Sequence, residues 1–364
     1  VGVINLQALF DEADRRNVAD IYLKVGSPAM IRAEGRTLPF DDHVLAAEET
    51  RAVALEIMGE ARMREFEKTQ EMNLAYSVPG VGRFRCNAFM QRGTVAMVMR
   101  RVKDDVPTLE ELNLPKQLAK LVMEERGLIL VTGATGSGKS TTLAAMIDYR
   151  NTHAEGHILT LEDPVEFLHR DKKSIVCQRE IGTDTESFAQ ALKNALRQTP
   201  DVILIGEMRD RESVKAALDF AETGHLVLST LHSNNANQTI ERVLQFFPAE
   251  EHPQILHHLA NNLRGIISQR LLRKADGSGR VAAIEIMIAT QRIKDILRSG
   301  ELIKLKATIE QGQNEGMQTF DQHLYQLHKV ENVISLEDAL AAADSPNDLR
   351  LRIRGLSSGG LTVS

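Results

Sequence analysis

The chain has 364 residues, 43% apolar and 26% charged, which is enough for two domains with cores of their own and excludes a disordered or collagen-like polypeptide. Its 44 Lys and Arg against 50 Asp and Glu give a net charge of −6, so a surface wholly devoted to nucleic acid or anionic lipid is excluded. Aromatics make up 4% with no Trp, leaving little for base-stacking platforms or membrane-interface belts. Two cysteines, Cys86 and Cys177, supply neither a disulfide framework nor a four-thiolate zinc site. A reducing cytoplasm is the expected compartment. No stretch approaches the eighteen or so apolar residues of a membrane span, and residues 1–10 lack the basic lead of a signal peptide.

The first hundred residues read as α+β. Residues 5–16 have helical spacing through Leu6, Leu9, Phe10 and Ala13, and a second helical pattern covers 48–68. Strand-like runs cover 20–25, 29–33, 73–78, 83–91 and 94–102, punctuated by turn signals at Gly26-Ser27-Pro28, Glu34-Gly35, Pro79-Gly80 and Arg92-Gly93. Residues 1–104 are thus expected to form one α+β domain, and 105–115, with Pro107 and Pro115, a linker or hinge. From 116 to 364 the expectation is an α/β domain with a helical C-terminal region. Short apolar strands at 128–132, 158–161, 202–205 and 226–231 alternate with helices from 139, at 187–197, 213–222 and 238–247, the pattern of a parallel sheet covered on both faces. Beyond about 250 the spacing predicts mainly helices: 252–273, 291–298, 301–311, 319–329 and 336–343, with a hairpin-like break at Asp276-Gly277-Ser278-Gly279. The tail at Ser357-Ser358-Gly359-Gly360 reads as flexible.

Gly133-Ala134-Thr135-Gly136-Ser137-Gly138-Lys139-Ser140 satisfies every fixed position of G-x-x-x-x-G-K-[ST], after an apolar strand and before a helix. Glycines let backbone amides wrap a β-phosphate, and the helix that follows turns its positive end to the anion. Lys139 then bridges the β- and γ-phosphates, while Ser140 ligates Mg²⁺; Thr141 follows in the same turn. A Gly-rich turn that binds nothing is the bland alternative, and the strand–loop–helix context opposes it.

Three polar clusters close other strands: Glu162-Asp163-Pro164-Val165-Glu166, Gly206-Glu207-Met208-Arg209-Asp210 and Thr230-Leu231-His232. Singly, each could merely cap the next helix. Together, at the carboxyl ends of one parallel sheet, they mark a site. Glu207 stands where a carboxylate would deprotonate attacking water, and Gly206 replaces the usual metal-binding Asp before it. Mg²⁺ is therefore left to Ser140, phosphates and waters, with Glu162, Asp163, Glu166 or Glu207 acting through water. His232 would sense the γ-phosphate or bond Glu207, whereas His225 begins its strand and reads as structural.

Between residues 83 and 103 stand Arg83, Arg85, Arg92, Arg100, Arg101 and Lys103, without an acid. A two-residue loop at Arg92-Gly93 sets Arg85 directly opposite Arg100, a like-charge pair that destabilises a hairpin unless an anion intervenes. The choice lies between arginine fingers for a nucleotide and a solvated basic face.

Taken together these residues resemble the secretion ATPase superfamily, in particular the retraction motors of type IV pili. The similar stretches are 138–146 (Gly-Lys-Ser-Thr-Thr-Leu-Ala-Ala-Met), 158–167 (the family's Asp box), 206–210 (its atypical Walker B), 221–232 (its His box), 281–288 and 316–319. The resemblance implies an N-terminal PAS-like domain, a RecA-like ATPase domain, and a homo-hexamer using ATP and Mg²⁺. It implies Glu207 as catalytic base, Glu166 as the Asp-box acid, His232 as the His-box residue, and Arg85 and Arg100 as fingers. Gly133, Thr135, Gly136, Ser137, Gly138, Lys139, Ser140, Thr141, Glu162 and Asp163 are the implied nucleotide contacts. Two cysteines cannot build the zinc module usual in assembly motors, which favours the retraction branch. Within it, 229–236 and 344–354 are closer to the PilU-type accessory motors than to the PilT type. The implied partners are an inner-membrane pilus platform protein and a paralogous retraction ATPase, at the cytoplasmic face of the inner membrane. The alternatives are a RecA-like nucleic-acid motor, a small-molecule kinase, and a regulatory ring subunit with weak turnover.

Overall fold

A computed structural model describes residues 5–16, 18–33, 36–102 and 105–355. The turn at Glu34-Gly35, Lys103 and the tail at Ser357-Ser358-Gly359-Gly360 lie outside the described residues. The chain divides into two compact units. One takes residues 1–105 together with Val165–Leu168, and the other takes Val106–Pro164 and His169–Ser364.

The first unit holds α1 (Leu6–Arg15), β1 (Asp20–Leu23), β2 (Pro28–Ala33), β3 (Arg36–Val44), α2 (Ala47–Thr69), β4 (Glu71–Val78), β5 (Gly82–Gln91) and β6 (Thr94–Arg101). All neighbouring strands run antiparallel, in the order β3-β2-β1-β6-β5-β4. The helices cover one face, where Leu9, Phe10, Ile21, Ile31, Ala54, Phe66, Phe84 and Met99 are almost wholly buried. Each of these Leu, Ile, Phe and Met side chains contributes roughly 1.5–3 kcal/mol by leaving water. Strand β3 escapes the sequence pattern because it is an edge strand exposed along nearly its whole length, and its apolar residues Leu38, Pro39, Phe40 and Val44 do not alternate with polar ones. The β5–β6 hairpin turns through Arg92 and Gly93, both at positive φ (51° and 76°), and pairs Gln91 with Thr94 and Arg85 with Arg100. That two-residue turn is the favoured hairpin geometry for twisted strands.

The second unit opens with turns at 109–113, where Leu109 and the following Leu114 are buried among α3 (Gln117–Val122) and the sheet. Its elements continue β7 (Gly127–Thr132), α4 (Lys139–His153), β8 (Gly156–Glu162), β9 (Ser174–Glu180), α5 (Phe188–Ala195), β10 (Val202–Ile205), α6 (Arg211–Glu222), β11 (Leu226–Leu231) and α7 (Ala236–Gln245). Then follow α8 (His252–Asn262), β12 (Leu263–Arg273), β13 (Arg280–Ile288), α9 (Gln291–Ser299), α10 (Leu305–Gln311), α11 (Phe320–Tyr325), α12 (Leu336–Ala342) and α13 (Pro346–Ile353). The sheet order is β13-β12-β7-β11-β10-β8-β9, parallel except for β13. Alternate residues of each central strand face opposite cores. Leu128, Leu130, Ile203 and Ile205 face one core, and Ile129, Val131, Val202 and Leu204 the other. That two-sided burial is why β7, β10 and β11 read as unbroken apolar runs. The whole is a mixed α/β fold.

The C-terminal region is not helical throughout. The expected helix over 252–273 stops at Asn262, and the chain continues as the 11-residue strand β12, hairpinned to β13 across Asp276-Gly277-Ser278-Gly279. Leu263, Ile266, Ile267 and Leu271 fit a helical stripe, but in a strand buried on both faces the period-two signal disappears. Strand β9 was also unmarked, being a partly polar edge with Ile175 exposed.

Candidate nucleotide site

The central strand β7 delivers Gly133–Gly138 at its carboxyl end, and Lys139, Ser140 and Thr141 form the first turn of α4. At Gly133 the backbone sits at φ 150°, and a Cβ there would lie 2.5 Å from both Gln269 O and Ser137 Oγ. Only glycine fits such a curl. Thr135 and Gly136 are exposed on the loop and Ser140 on the first turn of α4, while Ser137 is buried with its Oγ unpartnered. Lys139 Nζ folds over the loop and donates to Gly133 O (2.9 Å) and Ala134 O (3.0 Å). A concave backbone at a helix N-terminus, an ammonium and a hydroxyl make a cradle suited to a phosphate chain and its Mg²⁺.

Because β12 is parallel to β7 and pairs Ser268 with Thr132, its next residues overshoot the end of β7 and run beside the loop. Gln269 Nε2 donates to Ser137 O at 2.6 Å, tying the loop to β12. A cleft of about 220 Å³ lies here, walled by Gly133, Gly136, Asn234, Gln269, Arg270 and Leu271. A second of about 420 Å³ lies between Gly133, Ala134, His232, Asn234, Gln238 and Arg242. Gln269 and Arg270 are invisible to the sequence pattern, since a helical reading of 252–273 offers no register that would set Gln269 against a loop 132 residues earlier, and no motif marks Asn234.

The three polar clusters do end strands on the side of the phosphate loop. Glu207 follows β10, and its carboxylate is held between Arg209 Nε (2.7 Å to Oε2) and His232 Nε2 (3.1 Å to Oε1). With Nε2 carrying the proton, His232 donates to Glu207. Arg209 also reaches Asp163 Oδ2 at 3.1 Å, and its bond to Glu207, more than the charge of Asp163, raises its already high pKa. Glu162 accepts from Thr160 Oγ1 (2.6 Å) and Gln178 Nε2 (3.3 Å). At Gly206 a Cβ would stand 3.2 Å from Leu161 O and 3.4 Å from Glu162 Cα, so any side chain there would press tightly on the backbone of β8. Thr230 Oγ1 donates to Gly206 O, fixing the turn that aims Glu207. His225 lies at the other end of β11, its Nδ1 near Phe220 O (3.1 Å) and Thr223 Oγ1 (3.2 Å), as a structural histidine does.

Glu166, Arg85 and Arg100 belong to the first unit. Glu166 is exposed. The like-charge pair Arg85–Arg100 is relieved from the neighbouring strand: Arg100 Nε donates to Asp20 Oδ1 at 2.7 Å, and Arg32 lies 3.6 Å from Asp20 Oδ2. That bond and the charge of Asp20 raise the Arg100 pKa further. Arg85 forms no ion pair among the described residues.

Comparison with known proteins agrees with this geometry. The family model described as "Type II/IV secretion system protein" matches residues 6–344. The type IV pilus ATPase PilU of Pseudomonas aeruginosa is 50% identical over 336 residues, 92% of this chain and 88% of its own. The type IV pilus retraction ATPase PilT of the same organism is 44% identical, with 92% and 96% covered. A crystal structure of the pilus retraction motor PilT with bound ADP superposes with a TM-score of 0.87 at 43% identity, covering 95% of this chain and 99% of that one. No helix among the described residues is long and apolar enough to cross a membrane. The phosphate cradle, the glutamate after β10 and the near-complete match to the family model lead to one assignment: the chain belongs to the type II/IV secretion system protein family.

Proposed function

We propose that the chain is an ATP-hydrolysing motor subunit that powers retraction of type IV pili. The observation carrying this reading is the cluster at the carboxyl ends of β7, β10 and β11, where the phosphate loop, Glu207 and His232 stand on one sheet. The PilU and PilT relatives supply the physiological context. In this reading residues 1–104 form a PAS-like domain, 105–115 a hinge and 116–364 a RecA-like ATPase domain. The assembly is a homo-hexamer on the cytoplasmic face of the inner membrane, working on a pilus platform protein and alongside a paralogous retraction ATPase.

The amides of Gly133, Thr135, Gly136, Ser137 and Gly138 bind the phosphates, and Lys139 exchanges its loop carbonyls for the β- and γ-phosphate oxygens. Mg²⁺, when bound, neutralises charge on those oxygens, with Ser140 and Thr141 at hand and Glu162, Asp163, Glu166 or Glu207 reached through water. Glu207 takes the proton of the attacking water, and His232 holds the carboxylate and reports the γ-phosphate. Arg85 and Arg100 act as fingers on the charge of the transition state, Arg100 using the guanidinium nitrogens that Asp20 does not engage.

Product analysis on the purified protein tests the chemistry. Free phosphate released from Mg²⁺-ATP, unchanged by added single-stranded or duplex DNA, is the expected result. Phosphate transferred to a small acceptor, or turnover dependent on DNA, would replace this reading.

A further inference from the structure

Behind the phosphate loop runs a buried polar seam that the mechanism above does not use. Thr132, Ser268 and Glu285 are direct cross-strand partners on β7, β12 and β13, so their side chains share one face of the sheet. All three are almost fully buried. Thr132 is the last residue before Gly133. Its Oγ1 donates to Ser268 Oγ (3.1 Å), and Ser268 Oγ donates to Glu285 Oε1 (3.2 Å).

Helix α7 closes the seam from above. Glu285 Oε1 accepts the Ala236 N–H, the first amide of α7, at 2.7 Å. Thr239 Oγ1 lies 3.4 Å from Thr132 Oγ1 and 2.7 Å from Ser233 Oγ. Ser233 directly follows His232, whose ring touches Glu207. One carboxylate oxygen therefore ties the start of α7, and with it the 232–235 loop, to Ser268 on β12, whose hydroxyl in turn accepts from Thr132 on the strand that enters the phosphate cradle. A buried carboxylate is an expensive way to hold a helix end unless its position matters. Burial pushes the Glu285 carboxyl up to about 7, with Asp344 raising it further and the Ala236 amide, Ser268 and Arg270 pulling it down.

The geometry points to Glu285 as a positioning residue for hydrolysis, setting His232 and through it Glu207 relative to the phosphate loop. This rests on the ATPase reading above and adds a residue to it. Almost fully buried, it acts through Ala236 and Ser268.

Three variants are assayed for kcat, binding of fluorescent ADP and melting temperature, beside wild-type protein. A displacement of about 1 Å in a reacting group costs up to ~100-fold in rate. Glu285→Ala should therefore lower kcat roughly 10-fold or more while ADP affinity stays within about threefold. Glu285→Gln keeps an acceptor for Ala236 and should restore kcat to within about threefold of wild type. Glu285→Asp withdraws the oxygen by one methylene and should fall between, which keeps the test alive if the alanine variant does not fold. Combining Glu285→Ala, or Glu285→Asp in its place, with His232→Ala should cost little more than the worse single change, because both act through one loop. Unchanged kcat in Ala and Asp variants, loss in parallel with ADP binding, equal loss in Gln and Ala variants, or multiplying losses with His232→Ala would each overturn the inference. Wild-type protein that releases no phosphate would instead remove the ATPase reading beneath it.

Discussion

Lys139→Ala protein should lose steady-state phosphate release by roughly 150- to 25,000-fold and bind ATP far more weakly. The magnitude follows from what the ammonium offers. At rest it donates to Gly133 O and Ala134 O, two neutral carbonyls at 2.9 and 3.0 Å. With nucleotide it would trade these for charged phosphate oxygens. Charge-assisted bonds are worth about 1.5–3 kcal/mol each, so losing two costs about 3–6 kcal/mol. The fold should survive, because the side chain covers a loop rather than filling a core. Isothermal titration with ATP and a phosphate-release assay on the same preparation check both parts. Retained turnover within tenfold of wild type would show that the loop does not hold the reacting phosphates.

Glu207→Gln should separate binding from chemistry. A general base contributes about 100- to 10,000-fold, so kcat should fall by about that factor while ADP and ATP affinities stay within about threefold of wild type. The amide keeps the shape of the carboxylate and can still accept from His232 or Arg209, which hold it at 3.1 and 2.7 Å. It cannot take a proton from water. Because the charge is partly exposed and its partners lie at the surface, the change should leave stability nearly unaltered. A variant that turns over normally would move the base elsewhere in the cluster. One that no longer binds nucleotide would make Glu207 an architectural residue.

How much of this was legible in the sequence depended on whether the signal was local. The glycine-rich loop was, since its glycines and Lys139 stand at fixed spacing and a Cβ at Gly133 would clash with Gln269 O and Ser137 Oγ. Glu207 and His232 were, because parallel strands place their carboxyl ends together. Even the opposition of Arg85 and Arg100 followed from a two-residue turn at Arg92-Gly93. What escaped was long-range. Asp20, which engages Arg100, comes from a strand 80 residues away in sequence. Arg209's grip on Glu207 depends on side-chain direction after a strand end. Gln269 and Glu285 stayed hidden because β12 looked helical, and only its register with β7 brings them behind the phosphate loop.

The most direct test of a retraction motor is to delete its gene and count surface pili while scoring twitching. Cells that lose twitching and accumulate pili that do not retract are the predicted outcome. Cells left bare of pili would contradict the account and place the chain in pilus assembly instead.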